Sequence, residues 1–290
     1  MNTKYTIGII GFGIVGKALQ HGFAQTTDFR IYDINPVISE NTIEEVCNDS
    51  DFIFICVPTP MDGETGISDY SIVEDTIKKC RPHVKDSRKI LIIKSTVVPG
   101  TTELLQEKYP DVRIVFNPEF LTARSFRLDF INTSRIILGG YSDDVRTVYK
   151  LYRQRFPNTP ILCTDPTSAE AAKCFANCFF ATKVALCNEF YDICEGLEID
   201  YNNVMGLVMR DGRIGNSHID VPGHDGDRGF GGLCFPKDIN ATIKKAEDVG
   251  VDPIIMKAAW NTNLRVRKNK DWLYIDGAVS NNNAEKKAKK

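Results

Sequence analysis

The chain has 290 residues, about two domains on ordinary domain sizes. Hydrophobic residues make 42% and charged residues 26%, and 36 Lys plus Arg against 38 Asp plus Glu leave a net charge of −2, without the basic excess of a nucleic-acid scaffold. No apolar run approaches the ~20 residues of a membrane helix, the N-terminus lacks a signal-peptide profile, and the nine cysteines contain no CxxC pair, so reduced thiols are expected and neither disulfides nor a metal site. The expectation is a cytoplasmic protein with no membrane and no nucleic-acid partner.

In chain order, Tyr5–Ile10 reads as a strand and Val15–Ala24 as a helix, with Gly11-Phe12-Gly13-Ile14-Val15-Gly16 between them. Glycines at this spacing allow a tight turn, close backbone approach to a pyrophosphate and close helix–strand packing, and the helix N-terminus offers free N–H groups to the diphosphate. Phe29–Asp33 is the next strand, and Asp33 ends it where it would accept hydrogen bonds from the adenosine ribose. A carboxylate there repels a 2′-phosphate, so NAD is expected over NADP. Further strands are predicted at Asp51–Val57, Ile90–Lys94, Arg113–Phe116, Arg135–Leu138 and Pro160–Cys163, and further helices at Tyr70–Lys79 and Asp143–Arg155. Consecutive apolar positions in the strands suit a buried parallel sheet, and the alternation predicts an α/β, Rossmann-type doubly wound domain over residues 1–165. Val57-Pro58-Thr59-Pro60, Thr96 and Glu119 each follow a strand directly. Taken singly each reads as a turn; together they line the carboxyl edge of one sheet, where such folds bind ligands.

After Asp165-Pro166 the texture becomes helical. Thr167 to Glu195 is free of Pro and Gly and opens with a capping-box spacing, predicting one helix of about 30 residues and ~45 Å. Lys173 and Asn177 share one of its faces and are either donors to an oxyanion or a solvated stripe. Apolar residues around much of its circumference predict a partner chain, hence a homodimer. Helices are predicted over Asp200–Met209, from near Pro236, and from about Pro253 to Lys268, making 166–270 a mainly helical second domain and 271–290 a solvated tail. Between them lies Arg228-Gly229-Phe230-Gly231-Gly232-Leu233-Cys234-Phe235-Pro236-Lys237-Asp238. Pro236 suits a first helical turn, which puts Cys234 at a helix N-terminus beside Lys237, an arrangement that favours a thiolate nucleophile. Asp238, one turn on, would activate water or accept a proton.

With these motifs assembled, the chain resembles the UDP-glucose/GDP-mannose dehydrogenase family from Tyr5 to about Lys268. The resemblance is carried by Gly11–Gly16, Val57–Pro60, Lys94–Gly100, Asn117–Leu121, the Lys173/Asn177 pair, Arg213–Asn216 and Gly229–Asp238. It implies a helical domain like that of 6-phosphogluconate dehydrogenase and a four-electron oxidation of a nucleotide-sugar C6 alcohol to a carboxylate, with UDP-glucose favoured. Two NAD⁺ are consumed, and the aldehyde is held on Cys234 as a thiohemiacetal, then a thioester. By the same resemblance, Gly11, Gly13, Ile14, Val15, Gly16, Asp33, Val57, Pro58, Thr59 and Thr96 hold the cofactor. Lys173 and Asn177 stabilise the tetrahedral oxygen, Asp238 and Thr96 handle protons and water, and Glu119 assists hydrolysis. Glu119, Phe120, Leu121, Lys173, Asn177, Arg213, Phe230, Gly231 and Gly232 contact the sugar nucleotide, the glycines through backbone N–H groups.

Two departures stand out: Ala123 occupies a position that is often acidic in the family, and a third, C-terminal α/β domain is expected to be absent. The nucleotide is then expected to bind weakly unless a partner chain rebuilds its pocket, with Arg213 and Arg228 the local candidates for phosphate contact. Two rival readings are a two-electron dehydrogenase of the 6-phosphogluconate or 3-hydroxyacid type, which needs no Cys234, and a non-catalytic nucleotide-binding subunit.

Overall fold

The computed structural model describes residues 4–62 and 65–280. The chain forms two units, Met1–Thr59 with Asp69–Lys173, and Pro60–Ser68 with Cys174–Lys290.

The first unit is built on a seven-stranded sheet: β1 (Tyr5–Ile10), β2 (Thr27–Tyr32), β3 (Phe52–Ile55), β4 (Ile90–Ile93), β5 (Arg113–Phe116), β6 (Ile136–Gly139) and β7 (Ile161–Thr164). Its order is β2-β1-β3-β4-β5-β6-β7. Between the strands run α1 (Ile14–Phe23), α2 (Ile43–Asp49), α3 (Ser71–Val84), α4 (Thr101–Lys108), α5 (Phe126–Ile131) and α6 (Ser142–Arg155). Alternate residues of the apolar strands serve opposite faces. Ile53, Ile55, Leu91 and Ile93 pack with Val73, Ile77 and Leu105 on one side. Phe52, Phe54, Ile90 and Ile92 pack with Leu19, Phe23, Val148 and Leu151 on the other. Both faces are covered by helices, which is why the strands read as unbroken apolar runs.

The sheet departs from the fully parallel expectation at one place. β5 and β6 pair antiparallel, only at Phe116–Gly139, and β7 then runs parallel to β6. An antiparallel neighbour needs no return crossover, and the link from β5 to β6 carries only the short α5. Three short helices were not individually predicted. One of them, α2, had a legible signal: Thr42 accepts from the Glu45 N–H while the Glu45 carboxylate accepts from Thr42 N, a full capping box. The third helix runs on past Lys79 with Pro82 in its last turn, because Cys80 and Val84 are core residues.

The long helix α7 (Pro166–Gly196) begins in the first unit and continues into the second. The second unit adds α8 (Tyr201–Val208), α9 (Phe235–Asp248), α10 (Ile254–Val266) and a 3-10 turn at Asp271–Leu273. Phe230, Cys178, Ala181, Ala185, Ile239 and Ala259 form one core, and Cys187, Cys194, Tyr201, Met205 and Val221 another. The expected solvated tail does not begin at 271. Trp272 and Ala278 close a third cluster with Met61, and Met61 exchanges backbone bonds with Ala278 and Ser280. Burying a tryptophan removes enough apolar surface to hold this segment down. The polar run 281–290 lies outside the described residues. Among the described residues no helix is long and apolar enough to cross a membrane.

Candidate active site

Strand β1 lies between β2 and β3, so the chain reverses its winding at the carboxyl ends of β1 and β3. Such a switch point opens a crevice for ligands. Gly11 sits there at φ +92°, where a Cβ would come 2.7 Å from the Cys56 carbonyl oxygen. A Cβ on Gly16 would lie 2.4 Å from the Gly11 oxygen. Gly13 is different: a Cβ there meets nothing within 4 Å, and no side chain caps α1. Glycines that close the turn, one that faces open space, and an uncapped helix start with Ile14 and Val15 at its head fit a dinucleotide diphosphate. Asp33 follows β2 and accepts from Phe12 N at 2.6 Å and Asn35 N at 2.8 Å. Its carboxylate therefore fastens the glycine turn. On the neighbouring strand ends, Thr59 Oγ1 donates to the Thr96 carbonyl at 2.8 Å, and Ser95 Oγ to the Val57 carbonyl at 2.6 Å. Pro58 stands exposed between Val57 and Thr59.

A buried polar cluster follows β4 and β5. Lys94, which sequence reasoning passed over, is 3% exposed. Its Nζ lies 3.0 Å from Glu119 Oε2 and 2.9 Å from Asn117 Oδ1, and Tyr152 OH donates to the same Asn117 oxygen. Burial alone would lower the Lys94 pKa, but the charge and hydrogen bond of Glu119 together with Tyr152 and Cys56 outweigh it and raise it to about 12. Burial likewise pushes the Cys56 thiol and the Tyr152 hydroxyl up to about 12. The other Glu119 oxygen accepts from Phe120 N at 2.9 Å. Glu119, expected to assist hydrolysis, is thus anchored at both oxygens. The available signal was a lysine closing an otherwise apolar strand. Phe120 carries the Arg135 guanidinium 4.2 Å and Lys173 Nζ 5.2 Å from its ring centroid. Leu121 packs against the β-sheet core.

Glu170, one turn before Lys173 on α7, also escaped sequence reasoning. It is fully buried and accepts from Gly100 N (2.6 Å), Thr102 N (2.8 Å) and Thr102 Oγ1 (2.6 Å). One carboxylate so closes the start of α4, after the Thr96 segment. Burial pushes its pKa up from 4.5 to about 7, against these three donors. The folded chain therefore holds an extra proton between those values, and its unfolding free energy falls as pH rises through that window. Glu170→Gln is expected to flatten this slope. Urea midpoints of both proteins at about pH 5 and about pH 8 check it; equal slopes would exclude Glu170 as the source.

In the second unit Cys234 is exposed and occupies the cap of α9, with Pro236 in the first turn. Its carbonyl accepts from Asp238 N at 2.8 Å. The Asp238 carboxylate takes Lys237 Nζ on one oxygen and Asn177 Nδ2 on the other, each at 2.5 Å. Asp238 is 1% exposed. The expected water-activating role therefore meets a carboxylate that is closed to solvent and paired on both sides. Burial alone would lower the Lys237 pKa; Asp238 and, more weakly, Cys234 act the other way and raise it. Lys173 and Asn177 are 6% and 7% exposed, which removes the solvated-stripe alternative.

The Gly229–Gly232 loop corrects further expectations. Phe230 is a core residue, 4% exposed, packed against Trp260 and Phe235. Three of the loop N–H groups are bonded to side chains. Gly229 N donates to Asn188 Oδ1 at 3.3 Å, Phe230 N to Asn263 Oδ1 at 2.6 Å, and Gly232 N to Asp271 at 3.1 Å. Arg228 is spent on Asn188 and Asp192. Arg213 pairs with Asp211 at the exposed surface. Asn188, Asn263 and Asp271 carried no recognisable motif.

Residues 35–156 match the NAD binding domain of the UDP-glucose/GDP-mannose dehydrogenase family, and 167–265 its central domain. A UDP-glucose 6-dehydrogenase of Bacillus subtilis is 34% identical over 234 residues, covering 78% of this chain and 49% of that protein. The chain spans about half the length of the curated relatives it matches. A UDP-glucose dehydrogenase from the archaeon Pyrobaculum islandicum superposes with TM-score 0.81 at 27% identity, over 91% of this chain and 68% of that one. The 3-hydroxyisobutyrate dehydrogenase of Mycobacterium tuberculosis shares the fold at TM-score 0.70 and 14% identity, over 91% and 94%. The chain belongs to the UDP-glucose/GDP-mannose dehydrogenase family, whose NAD binding and central domains it matches in that order.

Proposed function

We propose that the protein oxidises the C6 primary alcohol of a nucleotide sugar, UDP-glucose, to the carboxylate through a covalent bond to Cys234. The observation that supports this most is an exposed thiol at a helix start backed by the buried Lys237–Asp238–Asn177 cluster. Bound NAD⁺ supplies the hydride acceptor for each of the two oxidations. Gly11–Gly16 and the head of α1 would hold its diphosphate, and Asp33 would accept from its ribose. The Cys234 thiolate adds to the aldehyde carbon, forming a C–S bond while the carbonyl electron pair moves to oxygen. Holding the aldehyde this way retains a reactive intermediate and makes its carbon a hydride donor again. Water then attacks the thioester, the C–S bond breaks and the thiolate returns. Lys173 and Asn177 stabilise the negative oxygen of the tetrahedral species. In this reading Asp238 acts by holding Asn177 and Lys237 in place, and Thr96 orients water.

Incubation with UDP-glucose, GDP-mannose or UDP-N-acetylmannosamine, counting NADH formed per sugar consumed, tests the reading. Two NADH per UDP-glucose is the expected result. One per sugar would indicate a two-electron dehydrogenase, and none with any sugar a binding subunit.

Helix α7 leaves Phe175, Phe179, Leu186, Phe190 and Ile193 exposed on the protomer. A second copy of the chain covering this face is the partner that reading implies. Sedimentation is expected to give a dimer at micromolar concentration, and a clean monomer would count against it.

A further inference from the structure

We propose that Asp271 and Arg267, on the segment after α10, are positioning residues that set the conformation of the loop carrying Cys234; the proposal rests on the thiol reading above. Gly232 N donates to both carboxylate oxygens of Asp271, at 3.1 Å each. Asp271 Oδ1 also takes Trp272 N at 3.0 Å, so the acceptor is itself fixed by the buried tryptophan turn. The Arg267 side chain is 1% exposed and bridges two acids, Asp225 at 2.7 Å and Asp271 at 3.3 Å. Its Nε donates to the Asn269 carbonyl at 2.8 Å. Gly231 lies flat on this ion pair: a Cβ there would come 2.2 Å from Arg267 Nη2 and 2.3 Å from Asp271 Oδ1. Gly229 and Gly232 stand at φ +69° and +76°, conformations that cost little for glycine but need external bonds to be selected from many.

Only Leu233 separates Gly232 from Cys234, and Leu233 is 37% exposed. The thiol is therefore suspended between two anchors, the first turn of α9 and the Gly232–Asp271 bond. The match to the family's central domain ends at residue 265, short of both Arg267 and Asp271. A buried ion pair that places a backbone N–H can hold the sulfur at the start of α9 and near Lys237 without itself touching substrate.

The test compares Asp271→Ala and Asp271→Asn with the parent protein. One readout is the pH profile of Cys234 alkylation by iodoacetamide, located by peptide mass spectrometry. The other is kcat against KM for UDP-glucose and for NAD⁺. Asp271→Ala is expected to slow Cys234 alkylation at neutral pH at least about threefold and to shift its pH profile, to lower kcat about tenfold or more, and to leave the NAD⁺ KM unchanged. Asp271→Asn keeps an acceptor for Gly232 N and should fall between. If the alanine variant does not fold, the asparagine variant decides by the same readouts. An unchanged alkylation profile in a folded variant overturns the proposal, whatever happens to turnover. Alkylation needs no substrate, so a failure of the oxidation reading leaves this result interpretable.

Discussion

Cys234→Ser is expected to abolish acid formation from UDP-glucose, by a factor of ~10³ or more, which is about 4 kcal/mol of barrier. A serine hydroxyl is a far weaker nucleophile than a thiolate at neutral pH, and the Asp238 carboxylate one turn on is already paired on both oxygens. The aldehyde then fails to become a covalent hydride donor, and the second oxidation is lost. The fold should be untouched. Cys234 is exposed and makes its cap through its backbone carbonyl, so the melting temperature is expected to stay within about 2 °C of the parent. Product analysis by mass spectrometry checks the outcome. Undiminished acid formation by the serine variant would refute the covalent route, and the Lys237–Asp238–Asn177 cluster would then need another purpose.

What was legible in the sequence follows from the range of the interactions involved. The Rossmann half could be read because each strand is an apolar run of its own and the glycine turn is a local device: Gly11, Gly13 and Gly16 act within one strand–helix unit. Cys234 could be read for the same reason, since Pro236 and Lys237 are its chain neighbours. Lys94, Glu170 and Asp271 could not. Their partners lie 25, 70 and 39 residues away, at Glu119, Gly100 and Gly232, and no spacing rule pairs them. Buried charges of this kind emerge only when the fold brings the pairs together. The same limit explains Phe230, which a motif-based reading gave to the substrate and which packing gives to the core. It also explains β6, whose direction depends on a single pairing with β5.

The Lys94–Glu119 pair is a buried ion pair, with side chains 2% and 13% exposed, and its loss is expected to cost much stability. Lys94→Met retains the volume and removes the charge, leaving Glu119 beside apolar Phe130 and Phe120 without its cation. Breaking one partner of a buried pair strands the other charge and typically costs about 3–5 kcal/mol. For a domain of this size that is a fall in melting temperature of roughly 10 °C. The effect should have a specific shape. Lys94→Met with Glu119→Gln removes both charges and is expected to recover most of the loss, because a matched neutral pair carries no stranded charge. Urea denaturation of the parent, both single variants and the double variant supplies the cycle. A double variant no more stable than Lys94→Met would mean that the lysine acts mainly through Asn117 and Tyr152. A single variant as stable as the parent would mean that Glu119, at 13% side-chain exposure, is solvated well enough to stand alone. Either result would return Glu119 to solvent-facing chemistry, the role in thioester hydrolysis that its family resemblance implies.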